Sequence, residues 1–195
     1  TESVNEGENE LVVAVKDLSE TSYHARGKQK LKRGGMFYTA QSGIWQTVWM
    51  EEVPKDYIQG IETVPDLEQG TVGIRVAAER DCPVEIWIRK PEIYKEIIEC
   101  ERGRRKSLPY EADEEETVVF AAGTANHVIK ADIQEPALWT CEEPYIYYYT
   151  VRMGTDFAES YFAMRTFSVR KDEKGIPRIC LNGKVQFQNG VLDQG

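Results

Sequence analysis

Histidine is nearly missing from this chain: His24 and His127 are the only two in 195 residues. A Ser-His-Asp or Cys-His nucleophile system needs a positioned imidazole, so there is little material here for either. Cysteine is also sparse, and Cys82, Cys100, Cys141 and Cys180 stand far apart with no CxxC or other ligand spacing. The expectation is scattered buried thiols, not a disulfide framework or a zinc site, which leans the chain towards a cytoplasmic setting. Nothing in this inventory calls for a metal or a cofactor. No apolar run approaches the roughly 20 residues of a membrane helix. Residues 1–10 are polar and acidic, unlike a signal peptide. Cations are outnumbered: Lys+Arg 24 against Asp+Glu 33 leaves a net charge of -9, the wrong sign for a nucleic-acid binder. The expected partners therefore include neither nucleic acid nor membrane.

What is present is ordinary globular material, 41% hydrophobic and 29% charged, enough for one generous domain or two small ones. Period two dominates its patterning. Residues 9–15, Asn-Glu-Leu-Val-Val-Ala-Val, predict a strand buried on both faces. Lys16 to Gly35 is polar and glycine-bearing and reads as a long loop of the kind that carries function. Residues 43–53, Gly-Ile-Trp-Gln-Thr-Val-Trp-Met-Glu-Glu-Val, predict a second strand, which Pro54-Lys55-Asp56 breaks; a domain boundary is placed there.

Beyond it, Tyr57–Val64 and Thr71–Glu79 form a hairpin. Pro83–Arg89, Thr117–Phe120, His127–Ile133, Tyr145–Met153 and Ser160–Val169 complete about seven short strands, the number and spacing of an immunoglobulin-like antiparallel β-sandwich. His127 alternates with Ile129, Ala131 and Ile133 and reads as a partly buried strand residue. Pro91–Cys100 suits a strand or a helix, and is too short for periodicity to decide. The basic run Arg102–Lys106 and the acidic run Asp113–Glu116 read as decoration of one solvated loop. In the last segment, Ile179–Leu181 and Val185–Phe187 flank Asn182-Gly183, a tight-hairpin signature. Both ends of the chain look cut.

Five stretches, in order, resemble the non-catalytic front part of glycoside hydrolase family 2, which includes β-galactosidases, β-glucuronidases and β-mannosidases. Residues 7–15 are similar to a strand of its sugar-binding jelly-roll domain. Arg26-Gly27-Lys28-Gln29, Phe37-Tyr38-Thr39 and residues 42–49 resemble that domain's closing loop and last strand. Leu138-Trp139 with Glu143-Pro144-Tyr145-Ile146-Tyr147 resembles the "LW…PxLY" stretch of its immunoglobulin-like domain, and Tyr161–Phe167 the final strand. Leu181–Lys184 and Asn189–Gly195 resemble the hairpin and first strand leading into the catalytic (β/α)₈ barrel. The departures are Gln46 where many relatives carry Arg, Ala163 where Gly is usual, and Val185-Gln186 where Pro-aromatic is usual.

The resemblance implies an all-β chain in three parts: residues 1–54 from a partial jelly roll, 55–170 an immunoglobulin-like sandwich, and 171–195 a hairpin linker with the first strand of a barrel. It implies a retaining glycosidase as parent, whose acid/base and nucleophile carboxylates stand about 5–5.5 Å apart on the barrel. Neither lies in this chain, so no catalytic residue is assigned; Asn5-Glu6 and Asn9-Glu10 imitate the family's Asn-Glu pair but fall outside the positions it uses. Carbohydrate substrate and the barrel of the same polypeptide are the implied partners. Within the loop, Arg26 and Lys28 are candidates for substrate contact or for bridging the domain interface. Asp193 is a candidate for bonding sugar hydroxyls. Trp45 and Trp49 share a strand face and could stack on sugars, with core packing the favoured alternative; Tyr145, Tyr147 and Tyr149 likewise read as core, and Tyr148 and Trp139 as candidates for an exposed stacking surface. A stand-alone carbohydrate-binding module without hydrolase activity is the alternative function. Unpaired edges in residues 1–54 predict self-association, or docking of that segment on the sandwich.

Overall fold

Val72, Ile74 and Val76 alternate with Thr71, Gly73 and Arg75, and Val84, Ile86 and Ile88 with Glu85, Trp87 and Arg89. Two strands of that kind have one apolar face each and must bury it against another layer. A computed structural model shows how they do so, describing residues 5–44, 46–94 and 117–192. The chain divides into two compact units, Thr1–Glu51 with Asn189–Gly195, and Glu52–Gln188.

In the second unit β3 (Gly60–Asp66) and β4 (Thr71–Ala77) form the expected hairpin, and β4 also pairs with β8 (Val128–Asp132), all antiparallel. A second antiparallel sheet runs β10 (Asp156–Phe162), β9 (Tyr145–Met153), β5 (Pro83–Arg89), β7 (Thr117–Thr124), with the short β6 (Glu92–Ile93) also on β9. One buried cluster unites the inner faces: Ile74 and Ile129 from the first sheet, Ile86, Tyr149, Val151 and Phe162 from the second. The protein is thus all-β, and this unit is an antiparallel sandwich. Tyr147 and Tyr149 belong to its core, as their shared strand face led one to expect. Tyr149 is fully buried, and its hydroxyl finds a partner in the Thr63 hydroxyl at 2.5 Å.

A third antiparallel sheet, β11 (Phe167–Lys171), β12 (Pro177–Leu181) and β13 (Lys184–Val185), follows. Leu181 pairs with Lys184, so Asn182 and Gly183 alone make the turn. Their φ values of 49° and 78° are both left-handed, as a type I′ turn requires. In the first unit the regular structure is slight: a 3₁₀ turn at Ser19–Thr21, and β1 (Gln29–Lys30) parallel to β2 (Tyr38–Thr39).

Several expectations are corrected. The strands at 9–15 and 43–53 do not form: the described residues there pair with no strand, and Leu11 is 76% exposed. Strand propensity expresses itself only against a partner edge, and among the described residues none meets them. His127 is exposed at a turn, because Asn126 at φ 66° bends the chain and β8 starts one residue later. Ser160–Val169 is two strands, since the backbone leaves β9 after Phe162 and Met164 bridges to Leu138 in parallel instead. Of the described cysteines, all free, only Cys180 is buried; Cys141 is exposed. Trp45, Asp193, Cys100 and both charge runs between 102 and 116 lie outside the described residues.

Candidate functional site

One groove begins where β10 ends. Leaving β9 at Phe162, the backbone runs through Ala163 to Arg165 and then into β11. Trp139 donates its backbone N–H to the Met164 carbonyl at 3.0 Å, which seats the indole beside this link. The Arg165 guanidinium then lies over the Trp139 ring at 4.5 Å and over the Phe167 ring at 5.2 Å. Such cation–π contacts hold a planar guanidinium in place while leaving its N–H edge free. Among the described residues no carboxylate pairs with Arg165.

These three side chains wall a groove of about 370 Å³ whose other sides are Thr63 and Pro65 of β3, Ile146 of β9, and Tyr161, Phe162 and Ala163. Among the described residues, no acidic one lines it. Tyr161 is 58% and Phe167 65% exposed, so the groove opens outward as an aromatic patch around one cation. Asn182, at the hairpin turn, fixes its position. The Asn182 Oδ1 accepts from the Thr166 N–H, and Nδ2 donates to the Trp139 carbonyl, each at 3.0 Å; the Asn182 backbone N–H donates to the Thr166 carbonyl at 2.9 Å. One side chain thereby ties the hairpin to both chain segments beside the groove.

A second trough of about 310 Å³ lies on the outer face of the β3–β4–β8 sheet, over Gly73 and between Val64 and Val128. Glu62 and Asp66 both line it, which invites comparison with a glycosidase pair. Four residues of strand put their Cα atoms roughly 13 Å apart. Glu62 is moreover paired with Arg75 at 3.0 Å, and Asp66 accepts from the Gln69 N–H at 3.0 Å. The trough therefore offers two structural carboxylates, not an acid and a nucleophile.

The loop residues expected to act belong to the first unit. Arg26 is exposed and donates to the Ser22 carbonyl at 3.1 Å. Lys28 is half-buried, 3.8 Å from the Met36 sulfur, and its carbonyl accepts from the Tyr38 N–H at 2.7 Å. Nearby, Asp17 accepts from the Ser19 N–H at 2.6 Å and the Ser42 hydroxyl at 2.8 Å, which together hold its carboxyl below the usual range. Trp49 is 72% exposed. Glu10, the decoy acid, is exposed; Asn9 folds back on Asn5.

Trp139 was among the candidates from sequence, but Arg165 was not. The signal that would have found it is the arginine spaced two residues from Phe167 in a stretch where alternation breaks. Tyr148, the other candidate, is half-buried on the outer sheet face, between Tyr161 at 6.2 Å and Arg89 at 5.7 Å. No group of three or more His, Cys, Asp or Glu able to hold a metal occurs among the described residues. No helix in them is long and apolar enough to cross a membrane.

Residues 57–165 match the family described as Glycosyl hydrolases family 2. Among solved structures the chain is similar to a β-glucuronidase from Ruminococcus gnavus, with TM-score 0.48 and 14% identity, covering 71% of this chain and 20% of that one. The same enzyme in complex with D-glucuronic acid gives 0.47 and 15%, with 71% and 20% covered. A β-D-glucuronidase of Dictyoglomus thermophilum gives 0.46 and 17%, with 70% and 19% covered. The chain thus spans about a fifth of the length of these structures. No curated protein matches it.

Proposed function

The chain belongs to glycosyl hydrolase family 2, and from that premise we propose that it is a non-catalytic part of a retaining glycosidase, whose work is to position and wall a catalytic barrel on the same polypeptide. The carrying observation is the position of the match. Residues 57–165 begin just before β3 and end just past β10, so the family likeness falls on the sandwich. The two grooves described on that sandwich support the reading by their chemistry. Among the described residues, one is lined by a single cation and no carboxylate, and the other by carboxylates already committed to an arginine and a turn. Neither resembles an acid/nucleophile pair about 5–5.5 Å apart.

Under this reading, Arg26 and Lys28 approach carbohydrate substrate or bridge to the barrel in the intact enzyme. Trp45, Trp49 and Asp193 are further proposals of the same kind. The stand-alone carbohydrate-binding module remains the second reading, favoured by the exposed aromatic rings of Trp49, Tyr161 and Phe167. The exposed apolar stretch Leu11–Val15 supports self-association of the isolated chain.

The test is hydrolysis of a panel of aryl glycosides by the 195-residue chain and by the full natural polypeptide. The expected result is turnover with retained anomeric configuration by the full polypeptide only. Turnover by the 195-residue chain, or tight sugar binding with no longer polypeptide present, would sink the proposal.

A further inference from the structure

Strand β11 ends its sheet on one side: among the described residues it pairs with β12 and with no other strand. The groups left over on its free edge follow from the bonds at its two ends. The Asn182 N–H donates to the Thr166 carbonyl, and the Asp172 N–H to the Ile176 carbonyl, each at 2.9 Å. Bonded and unbonded pairs alternate in an antiparallel ladder, so Ser168 and Arg170 turn their main-chain groups inward, to Cys180 and Arg178. The Ile179 carbonyl agrees, since the Gln186 N–H takes it on the far side of β12. Phe167, Val169 and Lys171 therefore each present an N–H and a carbonyl to the free edge, and none of these groups bonds elsewhere among the described residues. An edge of this kind is a template for another strand. The apolar side chains beside it are open to solvent: Phe167 is 65%, Val169 69% and Ile179 48% exposed.

We propose that a second copy of this chain docks on that edge, β11 against β11, in an antiparallel two-fold register centred on Val169. A two-fold interface must complement itself, and this strand does. Val169 faces Val169 of the second copy, Phe167 faces its Lys171, and Ser168 faces its Arg170, so no cation meets a like charge. Lysine on an edge strand ordinarily guards against pairing. Here the register sets it against an aromatic ring. The outward groups at 167, 169 and 171 are the ones this register bonds, for about six main-chain hydrogen bonds. On one face the Val169–Ile179 rows of the two copies merge, which takes apolar surface out of water. The edge plays no part in the functional reading above, and the pairing does not depend on the length of the natural polypeptide.

Val169→Cys, made in the natural polypeptide whatever its length, reads the register directly. Paired cysteines there have Cα atoms about 5.5 Å apart, within disulfide reach. In oxidised glutathione a 169–169 disulfide, identified by peptide mass spectrometry, is expected to form about tenfold faster than a 171–171 disulfide in Lys171→Cys, because the register holds those two positions more than about 13 Å apart. Phe167→Lys sets lysine against lysine and should cut the 169–169 yield about tenfold, and adding Lys171→Glu should restore it. Within one strand positions 167 and 171 are about 13 Å apart, so that rescue comes from the second copy. Equal yields at 169 and 171, or indifference to Phe167→Lys, mark random collision and overturn the proposal. A loss that Lys171→Glu does not reverse overturns the register. Slow amide exchange at Phe167, Val169 and Lys171 without the disulfide puts a different strand on the edge and equally overturns it.

Discussion

Replacing Asn182 with alanine should loosen the hairpin from the sandwich by an amount that the geometry allows one to work out. The side chain accepts from Thr166 and donates to Trp139, both partly buried. Each such bond contributes about 1 kcal/mol net. The backbone sits at φ 49°, where alanine is disfavoured by a further ~1 kcal/mol that asparagine largely escapes. Asn182→Ala is therefore expected to cost about 3 kcal/mol, and Asn182→Gly, which loses the bonds without the backbone penalty, about 2 kcal/mol. Asn182→Asp keeps an acceptor for Thr166 but sets a carboxylate against the Trp139 carbonyl, so it should be no better than glycine. Urea unfolding followed by near-ultraviolet circular dichroism reads the order as a shift in midpoint at constant slope. Exchange of the Thr166 amide reads the local opening, which at about 2 kcal/mol is roughly 30-fold faster in the glycine variant. If all three variants unfold within about 0.5 kcal/mol of the parent, the hairpin is not held by Asn182 and the reasoning is wrong.

Other positions give equally direct expectations. A Cβ on Gly123 would lie 2.6 Å from Ile129 Cγ1, so Gly123→Ala should cost about 1–3 kcal/mol by overpacking, and Ile129→Val should recover part of it. Thr63→Val leaves the Tyr149 hydroxyl buried without its partner and should cost about 1–3 kcal/mol, most of it recovered in the double variant with Tyr149→Phe. The Asp172 carboxyl is held below its ordinary value, first by the Ile176 N–H, then by Arg178 and the Lys174 N–H. A carboxylate with a lowered folded-state pKa stabilises above its unfolded pKa and loses that contribution as pH falls through the folded value. Carboxyl-carbon NMR should accordingly show Asp172 titrating below the ordinary aspartate range, and Asp172→Asn should remove its share of the stability lost in acid.

The legible part of this fold is the part in which local pattern and tertiary partner agree. Pro83–Arg89 and Tyr145–Met153 appear as strands with the boundaries the alternation indicated, because each has one apolar face and a neighbour on both edges. The Asn182-Gly183 turn was legible for a different reason: few residue pairs tolerate two successive left-handed φ values. Residues 9–15 read as strongly as any strand, yet β-propensity measures fit to a sheet surface, and the described residues offer them none. The groove was half legible. Trp139 stands out by composition, but its conjunction with Arg165 depends on the parallel bridge from Leu138 to Met164, a contact across 26 positions that no local periodicity encodes. Arg26 and Lys28 were singled out by their place in a loop that the family resemblance brings near the barrel, and charge type, which favoured a bridging role, does not say which neighbour a side chain finds.

The central claim is that this sequence works as an accessory part of a longer glycosidase. The mass of the polypeptide that carries it in the source cells tests that claim most directly, by immunoblot with an antibody raised against the 195-residue chain. The account predicts a band several times heavier than 22.3 kDa, co-fractionating with glycosidase activity. A single band at 22.3 kDa would contradict it.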